Sequence, residues 1–152
     1  MENADDLLQP SLSATESLAT GIYPTRVGYL AAFFGGPLAG ATIALLNSYR
    51  LKRLATDWPL GLAAVAMTVG LNWWEIRSGG RAWVAGHLGS EGVGLVLRLA
   101  GLALFAVVYS LHRQYYRHMA LLGIEAPSGW LPGIASVAGS ICVTIALRVA
   151  LR

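Results

Sequence analysis

Charged side chains are scarce in this sequence. Asp, Glu, Lys and Arg make up 12% of its 152 residues, whereas 55% are hydrophobic. An ordinary soluble domain carries about 25% charged residues. The chain therefore has too little polar surface to cover a water-facing globule of its size. This scarcity predicts a membrane protein with no separate soluble domain.

The sequence has a single cysteine and no basic segment at its N-terminus. Cys142 is the single cysteine, which excludes an intramolecular disulfide, and its apolar surroundings predict a small buried hydrophobe. Residues 1–22 contain no Lys or Arg, unlike the start of a secretory signal peptide. They are rich in Ser, Thr, Asp and Glu, and we interpret them as a polar, disordered tail.

No catalytic constellation is visible in the sequence. The apolar runs contain neither paired carboxylates nor a Ser and a His at a workable spacing. His87 and Glu91 could share a helical face, but they supply only two metal ligands. The basic residues form short clusters between apolar runs, which is typical of membrane flanks and not of a nucleic-acid surface. We therefore expect no enzyme, cofactor, metal site or nucleic-acid partner.

Long apolar runs are what the sequence does contain. They predict four transmembrane helices, at about 27–49, 58–76, 93–111 and 130–148. A helix rises about 1.5 Å per residue, so runs of this length cover the roughly 30 Å hydrocarbon core. Asp57 is expected to cap the second helix. The prediction is an all-α membrane protein, a four-transmembrane-helix bundle, with residues 23–152 forming one domain.

The first apolar run carries small residues at every fourth position: Gly28, Ala32, Gly36, Gly40 and Ala44. This small-residue stripe predicts a helix face on which another backbone packs closely, because helices in lipid associate through such contacts. Ala66 and Gly70 of the second run are expected to pack there. Pro37 lies mid-run and should bend the helix, because it removes a backbone hydrogen bond.

Two polar residues in or beside the apolar runs are functional candidates. Asn47 is expected to form a hydrogen bond between helices or near the headgroups, with a binding role as the alternative. Arg98 lies inside the third run, where a charge is costly and marks a functional candidate. It can instead extend to the interface or pair with Glu75 or Glu91. A basic aromatic strip beginning at His112 suits anionic headgroups.

Four spans would place both chain ends on the same side of the membrane. The Lys and Arg residues are divided almost equally between the two sides, so the positive-inside rule barely decides the orientation. The first helix has Arg26 before it and Arg50, Lys52 and Arg53 after it. This asymmetry favours a cytoplasmic first loop and both chain ends in the periplasm.

The stretch AFFGGPLAG, followed by Asn47 and Arg50, resembles the first span of small four-span bacterial inner-membrane proteins. The matching positions are Phe33, Phe34, Gly35, Gly36, Pro37, Leu38, Ala39, Gly40, Asn47 and Arg50. The resemblance implies a bacterial inner-membrane location, four spans and a cytoplasmic first loop. It implies no activity, and Arg98 is not part of the pattern.

The stripe, the short loops and the lack of a soluble domain favour a non-catalytic protein that acts through helix contacts in the lipid bilayer. Its partner would be another membrane protein or a second copy, as for an accessory subunit or an immunity-type protector against a toxin. The alternative is a small oligomeric transporter or channel component with Arg98 near the pathway.

Overall fold

The computed structural model describes residues 21–89, 92–121 and 126–151. Five helices follow one another in these residues: α1 (Thr25–Arg50), α2 (Leu54–Arg77), α3 (Gly80–Leu88), α4 (Gly92–Leu121) and α5 (Trp130–Ala150). By residue number and composition alone, all except α3 are long and apolar enough to cross a membrane, and they pack as a bundle. The predicted all-α fold class with four apolar helices is confirmed. Most of the predicted N-terminal tail lies outside the described residues.

The chain reverses direction in the middle of α1. The backbone N–H of Tyr23 donates a 2.8 Å hydrogen bond to Oδ1 of Asn47, which lies 24 positions later in the sequence. A straight helix would separate these two residues by about 36 Å. α1 is therefore a helical hairpin, with a first arm (residues 25–35) and a second arm (residues 37–50) that run antiparallel.

Gly36 makes this reversal. Its φ of 71° and ψ of −160° lie in a region that is open almost only to glycine. Pro37 then starts the second arm, where its missing N–H needs no partner. The sequence predicts a bend at Pro37, but the chain reverses completely at the preceding glycine. The arms are about 16 and 21 Å long, so neither alone covers the roughly 30 Å hydrocarbon core.

The hairpin fixes the arrangement of the chain ends. We call the end of the bundle that holds Tyr23 and Asn47 the near end, and the opposite end, where α2 finishes at Arg77, the far end. Nε of Arg77 donates to the carbonyl of Leu151 at 3.1 Å, so α5 finishes at the far end. Gly21 and Leu151 therefore lie at opposite ends of the bundle. The expectation that both chain ends share one side is wrong for the described residues, because α1 returns to the end where it begins.

The hairpin is the centre of the bundle, and α4 packs against it. Phe105 of α4 is only 2% exposed and meets Tyr29 of the first arm edge to face, with ring centres 4.9 Å apart. Gly28 leaves room for this ring, since a Cβ there would lie 1.9 Å from Cζ of Phe105. A Cβ on Gly101 would lie 2.7 Å from the carbonyl carbon of Gly36. The glycines thus allow α4 to lie directly against the reversal.

Candidate functional site

The residues of the small-residue stripe are all buried: Gly28, Ala32, Gly36, Gly40 and Ala44. The hairpin divides them between its two arms, so they do not form one straight face. A Cβ on Gly40 would lie 2.8 Å from Cβ of Ala32, whereas a straight helix would separate the two residues by about 12 Å. These residues pack the arms against each other and against α4.

The packing partner predicted on α2 is wrong. Ala66 and Gly70 are exposed, and a Cβ added to Gly70 would meet no atom within 4 Å. The buried face of α2 instead contains Ala64 and Thr68. That face is turned inward because it carries the polar residues of α2, which are costly to expose to lipid.

Asn47 joins the two ends of the hairpin to α4. It is 2% exposed, and its Nδ2 donates to the hydroxyl of Tyr116 at 3.0 Å and to the carbonyl of Tyr23 at 3.4 Å. Arg50 reinforces the same junction by donating to the carbonyl of Gly21 and to the hydroxyl of Tyr23, both at 2.9 Å. Both polar atoms of the Asn47 amide are thus bonded within the chain. This arrangement closes the base of the hairpin.

A second polar junction joins α2 to α4 at the near end. Nε2 of His112 lies 3.0 Å from Oδ2 of Asp57, and the side chains are 5% and 9% exposed. Arg53 donates to the hydroxyl of Tyr115, and its guanidinium carbon lies 5.0 Å from the centre of that ring. The expected roles of Asp57 as a cap and of His112 at the headgroups are wrong. α2 already begins at Leu54, which places Asp57 inside its first turn and against α4.

Three of the four buried residues on the inward face of α2 are polar. Asp57, Thr68 and Asn72 are buried on it, and Oγ1 of Thr68 has no hydrogen-bond partner among the described residues. Except for Arg77 at its last position, the large exposed side chains of α2 are apolar or aromatic: Leu54, Trp58, Leu62, Val65, Val69 and Trp73. This distribution is expected in lipid, where polar side chains face the bundle interior.

A far-end junction connects this face to α5. Nε of Arg148 donates to Oδ1 of Asn72 at 3.0 Å, and its Nη2 lies 2.8 Å from Oε2 of Glu75. Nδ2 of Asn72 donates in turn to the carbonyl of Thr68 at 2.8 Å. The α5 cation therefore binds the α2 carboxylate and amide, which fixes the end of α5 against α2.

Arg98 lies on the outside of the bundle. It is exposed, and its guanidinium carbon lies 5.3 Å from the ring centre of Phe33 in the first arm. The suggested pair with Glu75 does not form, because Glu75 binds Arg148. The other suggested partner, Glu91, lies outside the described residues. The structure does not bring Asn47 and Arg98 together, since Asn47 lies at the near end and Arg98 lies beside Phe33, close to the reversal.

α5 contacts the hairpin along a narrow line and leaves an open groove on each side. Gly133, Ser136 and Ser140 are buried on this line, and the Ser140 hydroxyl donates to the carbonyl of Gly35 at the reversal. The groove beside the first arm has a volume of about 330 Å³, and the groove beside the second arm about 450 Å³. Cys142 is exposed on α5, so the expectation that it is buried is wrong.

The described residues contain no group of three or more His, Cys, Asp or Glu side chains that could hold a metal ion. In comparisons with known proteins, the chain matches no family, no curated protein and no solved structure. Inferences about its function therefore depend on the geometry of the bundle.

Proposed function

We propose that this chain is a non-catalytic, multi-pass protein of the bacterial inner membrane that binds a transmembrane helix of another membrane protein. It would act as an accessory subunit or as an immunity-type protector. The observation that supports this proposal is the exposed position of α5. Only 11% of its apolar stretch is buried, against 17% for α2 and for α4 and 56% for α1, and a groove runs along each of its sides.

The groove beside the first arm suits a helix. Its walls are almost wholly apolar, and small residues at Ala31, Gly133 and Ala138 allow another backbone to approach. Gly139 opens the second groove, where a Cβ would meet no atom within 4 Å. Transmembrane helices associate through close packing at such small residues, since lipid provides little hydrophobic driving force between them.

A substitution that fills a groove tests this proposal. Gly139→Leu adds a large side chain in open space, so the bundle should still fold. The leucine would occupy the groove and prevent the partner helix from binding there. Gly70→Leu is the matched control, because that glycine is also exposed with open space around it on α2. Photocrosslinking from Ile141 in the first groove should give a single protein adduct that Ala138→Trp removes, and photocrosslinking from Val143 in the second groove should give one that Gly139→Leu removes. An identical adduct from Val107 on the exposed side of α4 would argue against a specific groove.

The adduct's mass identifies the occupant. A product at twice the chain mass indicates a second copy, and any other protein mass indicates a distinct partner. Adducts with lipid alone from both positions would contradict the proposal.

The proposed orientation places the near end in the cytoplasm. Among the described residues the near end carries Arg26, Arg50, Lys52, Arg53, Arg113 and Arg117, and the remainder of the bundle carries Arg77, Arg81, Arg98 and Arg148. The positive-inside rule assigns the richer end to the cytoplasm. The hairpin supports this assignment because it moves Arg26 to the side of the first loop.

Transport remains a second candidate because of the polar inward face of α2. Buried ionisable residues within membranes often mark ion or proton pathways, and the Asp57–His112 pair is such a group. Purified protein in liposomes would show proton or ion flux that Asp57→Asn abolishes. Arg98→Ala tests the outer surface in the same assay, because Arg98 would line a pathway only between copies. The absence of proton or ion flux in liposomes that contain the unmodified protein would eliminate this candidate.

A further inference from the structure

A cavity of about 450 Å³ opens at the far end, where α2 finishes, α3 begins and α5 ends. Arg81 of α3 and Arg148 of α5 both line it, together with Glu75 of α2. Two arginines from different helices therefore line one open space. Guanidinium groups are suited to phosphate because their N–H donors match its oxygens.

α3 indicates that this cavity lies at the depth of the lipid headgroups. Gly80 packs directly on Trp74 near the end of α2, since a Cβ there would lie 2.5 Å from Cδ2 of the indole. Val84 of α3 is 1% exposed, whereas Trp83 is 59% exposed, and the rings of Trp74 and Trp83 are 6.4 Å apart. Tryptophan is enriched where the hydrocarbon meets the headgroups. α3 therefore lies across the end of α2 at the interface.

The charge around the cavity is positive. Glu75 is bound by Arg148, and its side chain is only 11% exposed. Arg148 is held in place by Asn72 and Glu75, so its position is fixed. Arg81 is exposed and makes no hydrogen bond or ion pair with the rest of the described chain. One guanidinium is thus preorganised and the other is free to bind an anion.

We propose that this cavity binds the headgroup phosphate of an anionic phospholipid, with Arg81 and Arg148 as the donors. The lipid is favoured over a soluble phosphate because the cavity opens between the end of α2 and α3, the two helices that carry Trp74 and Trp83 at the interface, where the acyl chains of a bound lipid can continue into the bilayer. The site is separate from the grooves along α5 and does not depend on the proposed partner.

The test is native mass spectrometry of the purified chain with added phosphatidylglycerol or phosphatidylcholine. Phosphatidylglycerol should bind more tightly, and Arg81→Gln should weaken it about fivefold, which corresponds to ~1 kcal/mol for one arginine near a charged surface. Arg117→Gln is the matched control, since Arg117 is an exposed arginine at the near end. Arg81→Lys should restore part of the affinity, and all variants should retain the melting temperature of the unmodified protein.

Other outcomes overturn the proposal. Equal binding of the two lipids would show that charge plays no part, and equal losses in Arg81→Gln and Arg117→Gln would show a general surface effect. Inorganic phosphate is the third arm of the experiment. Displacement of the lipid by millimolar phosphate would assign the cavity to a soluble anion instead.

Discussion

Tyr23 and Asn47 stand 24 positions apart in the sequence and are direct hydrogen-bonded neighbours in the fold. The contact exists because the intervening helix turns back at Gly36 and returns to its starting end. Irregular backbone at membrane depth persists only where protein surrounds it. Here α4 packs on the reversal through Gly101, and the Ser140 hydroxyl of α5 donates a hydrogen bond to the carbonyl of Gly35. The hairpin therefore depends on the helices around it.

Replacing the residue at the reversal should destabilise the fold. Gly36→Ala forces a Cβ into a backbone region that is nearly exclusive to glycine, at a cost of about 1–3 kcal/mol. The free energy of unfolding in mixed micelles measures this loss. Gly70→Ala is the control, since it lies in open space within a helix and should be neutral or stabilising by up to about 1 kcal/mol. Equal unfolding free energies for the two variants would mean that the backbone conformation at position 36 does not require glycine.

The hairpin makes a direct prediction about membrane topology. The loop around Lys52 and the segment before Tyr23 should lie on one side, and the chain beyond Leu151 on the other. Compartment-specific reporter fusions at the two chain ends, combined with cysteine labelling at Lys52, determine these positions. Reporters that are active on the same side at both chain ends would instead require α1 to cross the membrane completely.

The Asn47 amide should contribute to closing the hairpin. Asn47→Ala removes its bonds to Tyr23 and Tyr116, and membrane-embedded hydrogen bonds contribute about 0.6 kcal/mol on average, up to about 1.7. Tyr116→Phe removes only the hydroxyl and should cost less. The double variant should lose less stability than the sum of the single losses, because both remove the same bond. Additive losses in unfolding free energy would show that the two side chains act independently.

The buried pair between α2 and α4 should also be coupled. Asp57→Ala or His112→Ala leaves one polar group buried without its partner, which costs about 1–3 kcal/mol. Removing both side chains should restore part of that loss, with a coupling of about 0.5–3 kcal/mol. Unfolding measurements on the four proteins of this cycle provide the value. A coupling of zero would mean that the 3.0 Å approach contributes nothing to stability.

A larger side chain at the second-arm glycine should disrupt the hairpin more than loss of a side chain elsewhere in α1. A Cβ on Gly40 already lies 2.8 Å from Ala32, so Gly40→Leu has no room between the arms. Leu45→Ala removes volume from a partly buried position and should be tolerated better. Yield of monodisperse protein after detergent extraction compares the two variants. Equal yields would indicate that the arms separate readily.

The amino-acid sequence by itself determined which segments are apolar helices, and it placed small residues where segments pack closely. Both follow from local composition. Long uncharged runs are more stable in lipid than in water, and glycine or alanine at every fourth position forms a surface on which another backbone can pack closely. Gly36 and Pro37 were also recognisable as an irregular point. A straight helix and a hairpin have the same hydropathy, however, so composition did not reveal the reversal.

Only the tertiary structure decided the path of α1 and the neighbours of its polar residues. The reversal is set by contacts between residues far apart in sequence, such as Asn47 with Tyr116 and Ser140 with Gly35. The same applies to Arg148, which binds Glu75 although 73 positions separate them. Such pairings depend on how complete helices pack, because in lipid a polar group gains most from whichever partner the packing brings within reach.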